Sequence, residues 1–193
     1  MNNPLGKFVE WLAEARAHTA ITEPTAMTLA TASKDGIPSA RIVLLKGHDE
    51  RGFVFYTNLG SRKAEELKEN PHAALCFAWL PLARQLRIEG MAEQVSDKEA
   101  DAYYASRPLI SRIGAWASEQ SRPLASRETL MRKVEALQEQ YSEHAPPPRP
   151  PHWSGFRVIP NVIEFWQEGK FRLHEREVYT RSNNDWNVQI LYP

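Results

Sequence analysis

The sequence predicts a mainly β protein with peripheral helices, built as an antiparallel barrel or sandwich. Segments with the alternating pattern of strands follow one another through short turns. A doubly wound parallel sheet would need a helix between most strands, and the sequence does not supply them. The chain has 193 residues, of which 42% are hydrophobic, so we expect a single domain over residues 1–193 with a buried core.

The N-terminal half combines two helices with five strands. Apolar side chains at helical spacing predict a helix from Pro4 to about His18, in an N-terminal helical segment that ends near residue 25. Strands at 27–32 and 39–46 flank Asp35-Gly36, a pair typical of hairpin turns. The remaining predicted elements are a strand at 53–57, a helix at 62–70 with Ser61 as N-cap, and strands at 73–79 and 84–95.

The C-terminal half begins with helices and ends with strands. Ser96 and Glu99 form a capping box that opens a helix predicted to run to Arg107, and another helix is predicted at 126–141. The proline-rich segment 145–151 predicts a stiff connector. Residues 152–193 then supply the C-terminal strands, predicted at 156–159, 162–167, 171–181 and 185–191.

Charge and composition exclude several classes of function. The 24 Lys and Arg residues balance 24 Asp and Glu residues, whereas proteins that bind nucleic acid usually carry a basic excess. Apolar runs are far shorter than the roughly 20 residues that span a bilayer, and no export signal is visible. The single cysteine, Cys76, fits a reducing compartment. We therefore expect a cytoplasmic protein without nucleic-acid or membrane partners, and the histidine spacing predicts no metal site.

Two short segments suggest anion binding. Ser61, Arg62 and Lys63 begin a helix, where backbone N–H groups favour an anion, although a solvated helix start is the alternative. The strand from Arg41 to Lys46 has a charge at each end. In an uninterrupted strand these charges face opposite sides, so they serve different groups unless Lys46 lies past the strand end. Strands also commonly end in a cation at the water boundary.

Two further segments carry groups that suit a phosphate or another anion. Tyr103 and Arg107 are four residues apart and share a helix face, with Ser111 just beyond; this spacing is also common by chance. Arg172, His174 and Arg176 would project to one side of a strand. These cationic groups repel one another unless an anion lies across them, and an exposed face with glutamate partners is the alternative.

Taken together, these stretches resemble the pyridoxine (pyridoxamine) 5′-phosphate oxidase family. Each run alone is common, but all occur in one order from about Pro4 to Trp186. The matching runs are RIVLLK at 41–46, FYTN at 55–58, SRK at 61–63, RQ at 84–85, RP at 107–108, IGAW at 113–116, QS at 120–121, IEFWQ at 163–167 and RLH at 172–174.

The resemblance implies the FMN-binding split barrel, an antiparallel Greek-key β-barrel that works as a homodimer with FMN at the subunit interface. It implies oxidation of pyridoxine 5′-phosphate or pyridoxamine 5′-phosphate to pyridoxal 5′-phosphate. Oxygen would accept the electrons, giving hydrogen peroxide, and the amine would also release ammonia. The protein would contribute mainly by stacking and aligning the two rings.

The resemblance also implies roles for individual residues. The substrate phosphate would meet Lys46, Tyr103, Arg107 and Ser111, while Arg172 and His174 would be catalytic residues that flank the substrate ring. The residues implied to bind FMN, some from the partner subunit, are Arg41, Ile42, Val43, Leu44, Leu45, Lys46, Tyr56, Thr57, Ser61, Arg62, Lys63, Gln85, Gln120, Ser121, Trp166 and Arg176.

Three departures from the family pattern affect the expected details. The chain begins almost at its first helix, so we expect weaker closure over substrate than in longer members. Arg112 replaces a usual Gln, and Ile190 replaces a usual Arg.

Three rival functions stay open: another flavin enzyme of this fold acting on a phenazine-type or other aromatic substrate, a protein that stores FMN or pyridoxal phosphate, and a small nucleic-acid-binding barrel, which the zero net charge disfavours.

Overall fold

The computed structural model describes residues 3–183 and 185–193, and in them one antiparallel sheet is surrounded by five helices. The strands are β1 (Ala26–Ala32), β2 (Pro38–Leu44), β3 (Gly47–Asp49), β4 (Gly52–Asn58), β5 (His72–Trp79), β6 (Arg84–Gln94), β7 (Trp153–Gln167), β8 (Glu175–Ser182) and β9 (Asp185–Leu191). The helices are α1 (Pro4–Ala17), α2 (Arg62–Glu69), α3 (Asp97–Ala105), α4 (Leu109–Ala117) and α5 (Arg127–Gln140).

Strand β7 organises the sheet, whose order is β2-β1-β5-β6-β7-β4-β3. The first part of β7 pairs with β4 and its last part pairs with β8, while β6 follows it on the other side along most of its length. The register between β6 and β7 shifts at Gly90, where a Cβ atom would lie 1.9 Å from the carbonyl oxygen of Ile159. Only glycine permits this close approach of two backbones.

The segment after β2 carries the chain from one end of this strand order to the other. The Leu45 amide donates to the carbonyl of Thr25, next to β1, at 2.9 Å. The next amide, that of Lys46, donates to the carbonyl of Val54 in β4 at 2.8 Å. The sheet therefore curls on itself at residues 45 and 46, and Lys46 lies at this junction.

The main hydrophobic core fills the curled sheet and extends from Phe8 to Tyr179. Helix α1 covers the core, because Phe8 packs edge-on against Phe53 and Trp11 packs edge-on against Phe165, both with ring centroids 5.0 Å apart. Aromatic pairs in this geometry add to the free energy gained from burying their area. The helix starts at Asn3, whose side chain accepts a hydrogen bond from the Leu5 amide.

Most predicted elements are confirmed. The antiparallel sheet, its peripheral helices, the hairpin between β1 and β2 and the capping box at Ser96 are all present. The connector at 145–151 contains no helix or strand. Of the two alternatives for Lys46, the second holds, because β2 ends at Leu44 and Lys46 lies beyond it. No helix among the described residues is long and apolar enough to cross a membrane.

Four local predictions are wrong. Residues 156–159 and 162–167 belong to a single strand, β7, because a register shift accommodates Asn161 without breaking the pairing. The helix opened by Ser96 stops at Ala105, and the separate helix α4 follows Pro108. Ser61 occupies the predicted N-cap position of α2, but the side-chain capping bond is absent, because its hydroxyl donates instead to the carbonyl of Asn58 at 2.7 Å.

The fourth error concerns the predicted strand at 171–181, which starts later, at Glu175. Residues 170–172 form a 3₁₀ turn, in which Phe171 and Arg172 both have positive φ, 57° and 64°. Gly169 permits this turn, since a Cβ there would lie 1.8 Å from the carbonyl oxygen of Leu173. Arg172, His174 and Arg176 therefore do not share the face of one strand.

Candidate functional site

A pocket of about 550 Å³ opens between β2, β4, α3 and α4. This volume is typical of a site for a small organic ligand. The pocket brings together eleven residues that the sequence predicted for two different phosphates and a flavin: Arg41, Ile42, Val43, Leu44, Lys46, Tyr56, Thr57, Lys63, Tyr103, Arg107 and Gln120. Ser111, predicted for the substrate phosphate, lines it as well.

Lys63 and its partners form the polar end of the pocket. The Lys63 ammonium donates to Thr57 Oγ1 at 3.2 Å and to Gln120 Oε1 at 3.0 Å. Thr57 Oγ1 also donates to Gln120 Oε1, at 3.1 Å. Burial lowers the pKa of Lys63, and the nearby charge of Arg41 lowers it further. A cation held under these conditions is stabilised by any anion that enters the pocket.

The buried carboxylate of Glu66 joins the two arginines of this end. Arg62 donates its Nε–H to Glu66 at 2.8 Å, and the Arg41 guanidinium lies 3.4 Å from the same carboxylate. Burial alone would raise the pKa of Glu66, but hydrogen bonds from Ser39, Thr31 and Arg62 lower it to about 2. The carboxylate is thus ionised at neutral pH, and three cations, Arg41, Arg62 and Lys63, surround one negative charge.

The other end of the pocket is aromatic. The rings of Tyr56 and Tyr103 stack with centroids 3.9 Å apart, and Tyr56 stacks on Trp153 at 5.3 Å. The Arg107 guanidinium lies 4.9 Å from the centre of the Trp153 ring, which is a favourable cation–π distance. Arg107 lies past the end of α3, yet it reaches the same pocket as Tyr103.

At this aromatic end, Arg107 carries a buried polar atom, NH1 of its guanidinium, that lacks a hydrogen-bond partner among the described residues. Burial also lowers the pKa of its guanidinium. Leaving a buried donor unpaired costs free energy, so the atom favours an incoming acceptor such as a phosphate oxygen.

Some predicted cofactor residues do not line this pocket with their side chains. Leu45 is buried in the hydrophobic core, and Ser61 is buried below the start of α2. Arg62 reaches Glu66 from outside the pocket. Ser121 is exposed and adopts a positive φ of 71°.

The other predicted residues form a second group, here named the Trp166 cluster: Gln85, Trp166, Arg172, His174 and Arg176. Gln85 and Arg176 are the cross-strand neighbours of Trp166 on its two sides. The His174 ring lies 4.7 Å from the Trp166 ring. The structure therefore brings Gln85, His174 and Arg176 together around Trp166, and Arg172 lies on the adjoining turn, although the predicted strand at 171–181 is wrong.

The Trp166 cluster lies at the opposite end of β7 from the pocket. Trp153 lines the pocket, and Trp166 is thirteen residues further along the same strand, roughly 40 Å of extended chain. Within the described part of the chain, no member of the cluster lines the pocket. Within one chain, the predicted site residues thus form two separate groups.

Several pocket residues were not predicted from the sequence. Asn58, Gly114, Ala115, Ser118 and Trp153 all line the pocket. Three of them belong to or follow α4, the helix that was not predicted. Gly114 and Ala115 lie in the IGAW run that carried the family resemblance, so that run was the signal that could have placed them.

Comparison with protein families gives two matches that together cover most of the chain. The family model described as "Pyridoxamine 5′-phosphate oxidase" matches residues 13–141. The model described as "Pyridoxine 5′-phosphate oxidase C-terminal dimerisation region" matches residues 153–193. The second match contains all of β7 and every member of the Trp166 cluster except Gln85.

Curated relatives match over nearly the whole chain. The pyridoxine/pyridoxamine 5′-phosphate oxidase of Gluconobacter oxydans is 56% identical over 191 residues, covering 99% of this chain and 94% of the relative. The protein of the same name from Rhodospirillum rubrum is 56% identical over 196 residues, covering 99% of this chain and 96% of the relative.

Two solved structures share the fold. PhzG from Burkholderia lata, crystallised with tetrahydrophenazine-1-carboxylic acid, superposes with a TM-score of 0.94 at 34% identity, covering 100% of this chain and 94% of that one. A pyridoxamine 5′-phosphate oxidase-related, FMN-binding protein from Nostoc punctiforme superposes with a TM-score of 0.76 at 18% identity, covering 97% and 96%. The predicted split-barrel fold is thereby confirmed.

Proposed function

The chain belongs to the pyridoxamine 5′-phosphate oxidase family, and on this premise we propose that it oxidises pyridoxine or pyridoxamine 5′-phosphate to pyridoxal 5′-phosphate with bound FMN. The observation that carries the proposal is a pocket with two cationic groups of residues, suited to two phosphates. Arg41 and Lys63 line its polar end, and Arg107 lies at its aromatic end. Oxygen is the proposed electron acceptor, as the relatives' names as oxidases suggest.

The polar end suits the FMN phosphate. Arg41, Arg62 and Lys63 together carry three positive charges against the single charge of Glu66. Hydrogen bonds to charged groups contribute about 1.5–3 kcal/mol each, so a few of them hold a phosphate dianion on a chain with no net charge. Ile42, Val43 and Leu44 line the wall beside this end and offer an apolar surface to a flavin ring.

The aromatic end suits the substrate phosphate. Arg107 supplies a buried donor without a partner, while Tyr103 and Ser111 supply hydroxyl groups on the same wall. Burial raises the pKa of Tyr103, so its hydroxyl stays protonated and able to donate at neutral pH. Lys46, at the junction after β2, adds a second cation to this phosphate.

We propose that the complete site forms between two copies of the chain. The Trp166 cluster is too far along β7 to reach the pocket of its own chain. Most of it lies in the region that matches the family's C-terminal dimerisation model. In a symmetric homodimer, the cluster of each chain meets the pocket of its partner, which gives two equivalent sites.

In that arrangement the chain's own residues bind, orient and exchange protons. FMN, held by Arg41, Arg62 and Lys63, would supply the redox chemistry by accepting a hydride equivalent. Arg172 and His174 would flank the substrate ring, orient it for this transfer and assist removal of the proton from the alcohol or amine. Arg172 has the positive φ of a strained residue, and such residues concentrate at functional sites.

A second candidate function is oxidation of a phenazine-type substrate. The specific observation in its favour is the TM-score of 0.94 with PhzG, whose structure contains a tetrahydrophenazine carboxylic acid. Against it stands the group formed by Tyr103, Arg107 and Ser111, whose several donors suit a phosphate better than a single carboxylate. Storage of flavin or pyridoxal phosphate without turnover is the other alternative.

One experiment separates these functions. The purified protein is loaded with FMN, and pyridoxine 5′-phosphate is added in the absence of oxygen. We expect the flavin absorbance to bleach and to return in air, with aldehyde and hydrogen peroxide formed in equal amounts. Bleaching by a dihydrophenazine carboxylic acid but not by pyridoxine 5′-phosphate would support the second candidate, and no bleaching by either would support storage.

A further inference from the structure

Glu66 is a buried carboxylate that neither phosphate would contact, yet it has four side-chain partners. Its exposed fraction is 6%, and it lies on α2, behind the polar end of the pocket. Thr31 and Ser39 donate their hydroxyl hydrogens to Oε2 at 2.5 and 2.6 Å. Arg62 donates to Oε1 at 2.8 Å, and Arg41 approaches Oε2 at 3.4 Å.

These bonds fix the direction of the two hydroxyl groups. Each hydroxyl has one hydrogen, which Glu66 accepts, so only oxygen lone pairs remain on the other side. Arg41 occupies that side: its NH1 donates to Thr31 Oγ1 at 2.5 Å, and its NH2 donates to Ser39 Oγ. Glu66 thus orients Arg41 mainly through two hydroxyl relays.

Glu66 holds Arg62 directly, without a hydroxyl group between them. Arg62 lies one turn before Glu66 on α2, and its bond to the carboxylate uses only the Nε–H. This geometry leaves both terminal amino groups of the guanidinium available to an anion. One carboxylate therefore orients two arginines, which come from different elements of the fold, β2 and α2.

We propose that Glu66 is a positioning residue for the FMN phosphate, which it never contacts, because it aligns Arg41 and Arg62 before the cofactor binds. The inference rests on the proposed function. Preorganised cations lose less side-chain entropy when they bind a ligand. The cofactor affinity then depends on a negative charge that by itself repels the phosphate.

The positioning role and simple electrostatics predict opposite effects on FMN affinity when the negative charge of Glu66 is removed. Glu66→Gln makes the polar end more positive, so electrostatics alone predicts tighter binding of a dianion. Positioning predicts weaker binding, because the carboxamide cannot accept from Thr31, Ser39 and Arg62 with the same charge-assisted strength. The sign of the change distinguishes the two explanations.

The test compares FMN with riboflavin, which has the same ring system without the phosphate. The full-length protein is stripped of flavin, and both dissociation constants are measured by the quenching of flavin fluorescence. We expect Glu66→Gln to weaken FMN binding by about tenfold or more and to leave riboflavin binding within about twofold. The matched control is Glu69→Gln, which makes the same charge change at an exposed position of α2 and should change neither constant.

Two further variants keep the test decisive if Glu66→Gln folds poorly. Ser39→Ala removes one hydroxyl relay and leaves the carboxylate in place, so we expect a fewfold loss of FMN affinity alone. Glu66→Asp should recover part of the preference for FMN.

The inference would be overturned if Glu66→Gln left the ratio of the two dissociation constants unchanged, for example by weakening the binding of both flavins equally. A stronger preference for FMN would also overturn it. Wild-type protein that binds both flavins equally would overturn the proposed FMN site itself. That outcome is distinct, because it appears before any substitution is made.

Discussion

The pocket and the Trp166 cluster lie at opposite ends of β7 and differ in how far one chain completes them. In the pocket, Lys63, Thr57 and Gln120 are bonded to one another, and Glu66 orients the arginines. In the cluster, Arg172 lies on an exposed turn. Its neighbours Phe171 and Leu173 are 92% and 67% exposed.

This contrast shows which half of the site is already formed within a single chain before a ligand binds. The pocket is organised by hydrogen bonds and packing within one chain, so its shape exists before a ligand arrives. Large exposed apolar side chains beside candidate catalytic residues indicate a surface that another molecule covers. We therefore expect variants of the pocket and variants of the cluster to fail in different ways.

The largest expected effect is at the aromatic end of the pocket. Arg107→Ala removes the buried donor that we assign to the substrate phosphate, so kcat/KM for pyridoxine 5′-phosphate should fall by about 100-fold, mainly through KM. Steady-state kinetics measures this. Unphosphorylated pyridoxine is the control substrate, and its already low kcat/KM should change little; an equal loss for both substrates would contradict the assignment.

A smaller effect, on kcat instead of KM, is expected in the Trp166 cluster. Arg172→Ala should lower kcat by at least about tenfold, because the substrate ring loses a group that orients it and assists proton transfer. Flavin content should stay nearly unchanged, as measured by absorbance of the purified protein. Loss of flavin instead would move Arg172 to the cofactor site. Lys170→Ala, a change of another cation in the same turn, serves as the control.

The smallest expected effect concerns pH at the polar end of the pocket. Burial and Arg41 lower the pKa of Lys63, so the ammonium loses its proton below the ordinary pH for lysine, and FMN affinity should fall severalfold as pH rises through that range. From that range down to neutral pH the ammonium is retained and the affinity should be constant. Burial raises the pKa values of Tyr56 and Tyr103, which keeps both neutral over most of this range.

The control for this titration is Lys63→Arg, which keeps its charge throughout. Flavin fluorescence titrations across the alkaline range measure both proteins. Every other titratable group is present in both the wild-type protein and Lys63→Arg. The difference between their curves of FMN affinity against pH therefore isolates the contribution of Lys63. Identical curves would show that Lys63 does not contribute its charge to FMN binding.

The secondary structure around the polar end of the pocket was predicted well from the sequence because local patterns determine it. Ser61, Arg62 and Lys63 begin a helix in the structure, and Arg41 lies in a strand whose hairpin was marked by Asp35-Gly36. Short-range signals of this kind need no knowledge of the tertiary fold. The helix start was right even though the side chain of Ser61 bonds elsewhere.

Features that depend on contacts distant in sequence were missed. Helix α4 is short and contains a glycine, so its periodicity is weak, and its place is determined by packing against α5 and by the hydrogen bond from the Tyr104 hydroxyl to the Arg112 carbonyl at 3.0 Å. Phe171 and Arg172 were assigned to a strand because Arg172, His174 and Arg176 alternate with other residues as they would along a strand. The close approach of Gly169 to Leu173 overrides that pattern.

The buried partners of the arginines were also invisible in the sequence. Glu66 looks like one of several charges on an exposed helix, and only the fold shows that it lies beneath Thr31 and Ser39. Glu164 likewise holds Arg176 with two hydrogen bonds from within β7. Burial of a charge is a property of the packed structure, so residue type alone cannot reveal it.

Mixed dimers test most directly whether each site combines the pocket of one chain with the cluster of another. Differently tagged Arg107→Ala and Arg172→Ala chains, each with a strongly reduced kcat/KM alone, are co-expressed and assayed together at limiting substrate. Random pairing makes half of the dimers mixed, and each mixed dimer then has one intact site, so activity should recover to about a quarter of wild type. Activity no higher than that of the two parents would contradict the composite site.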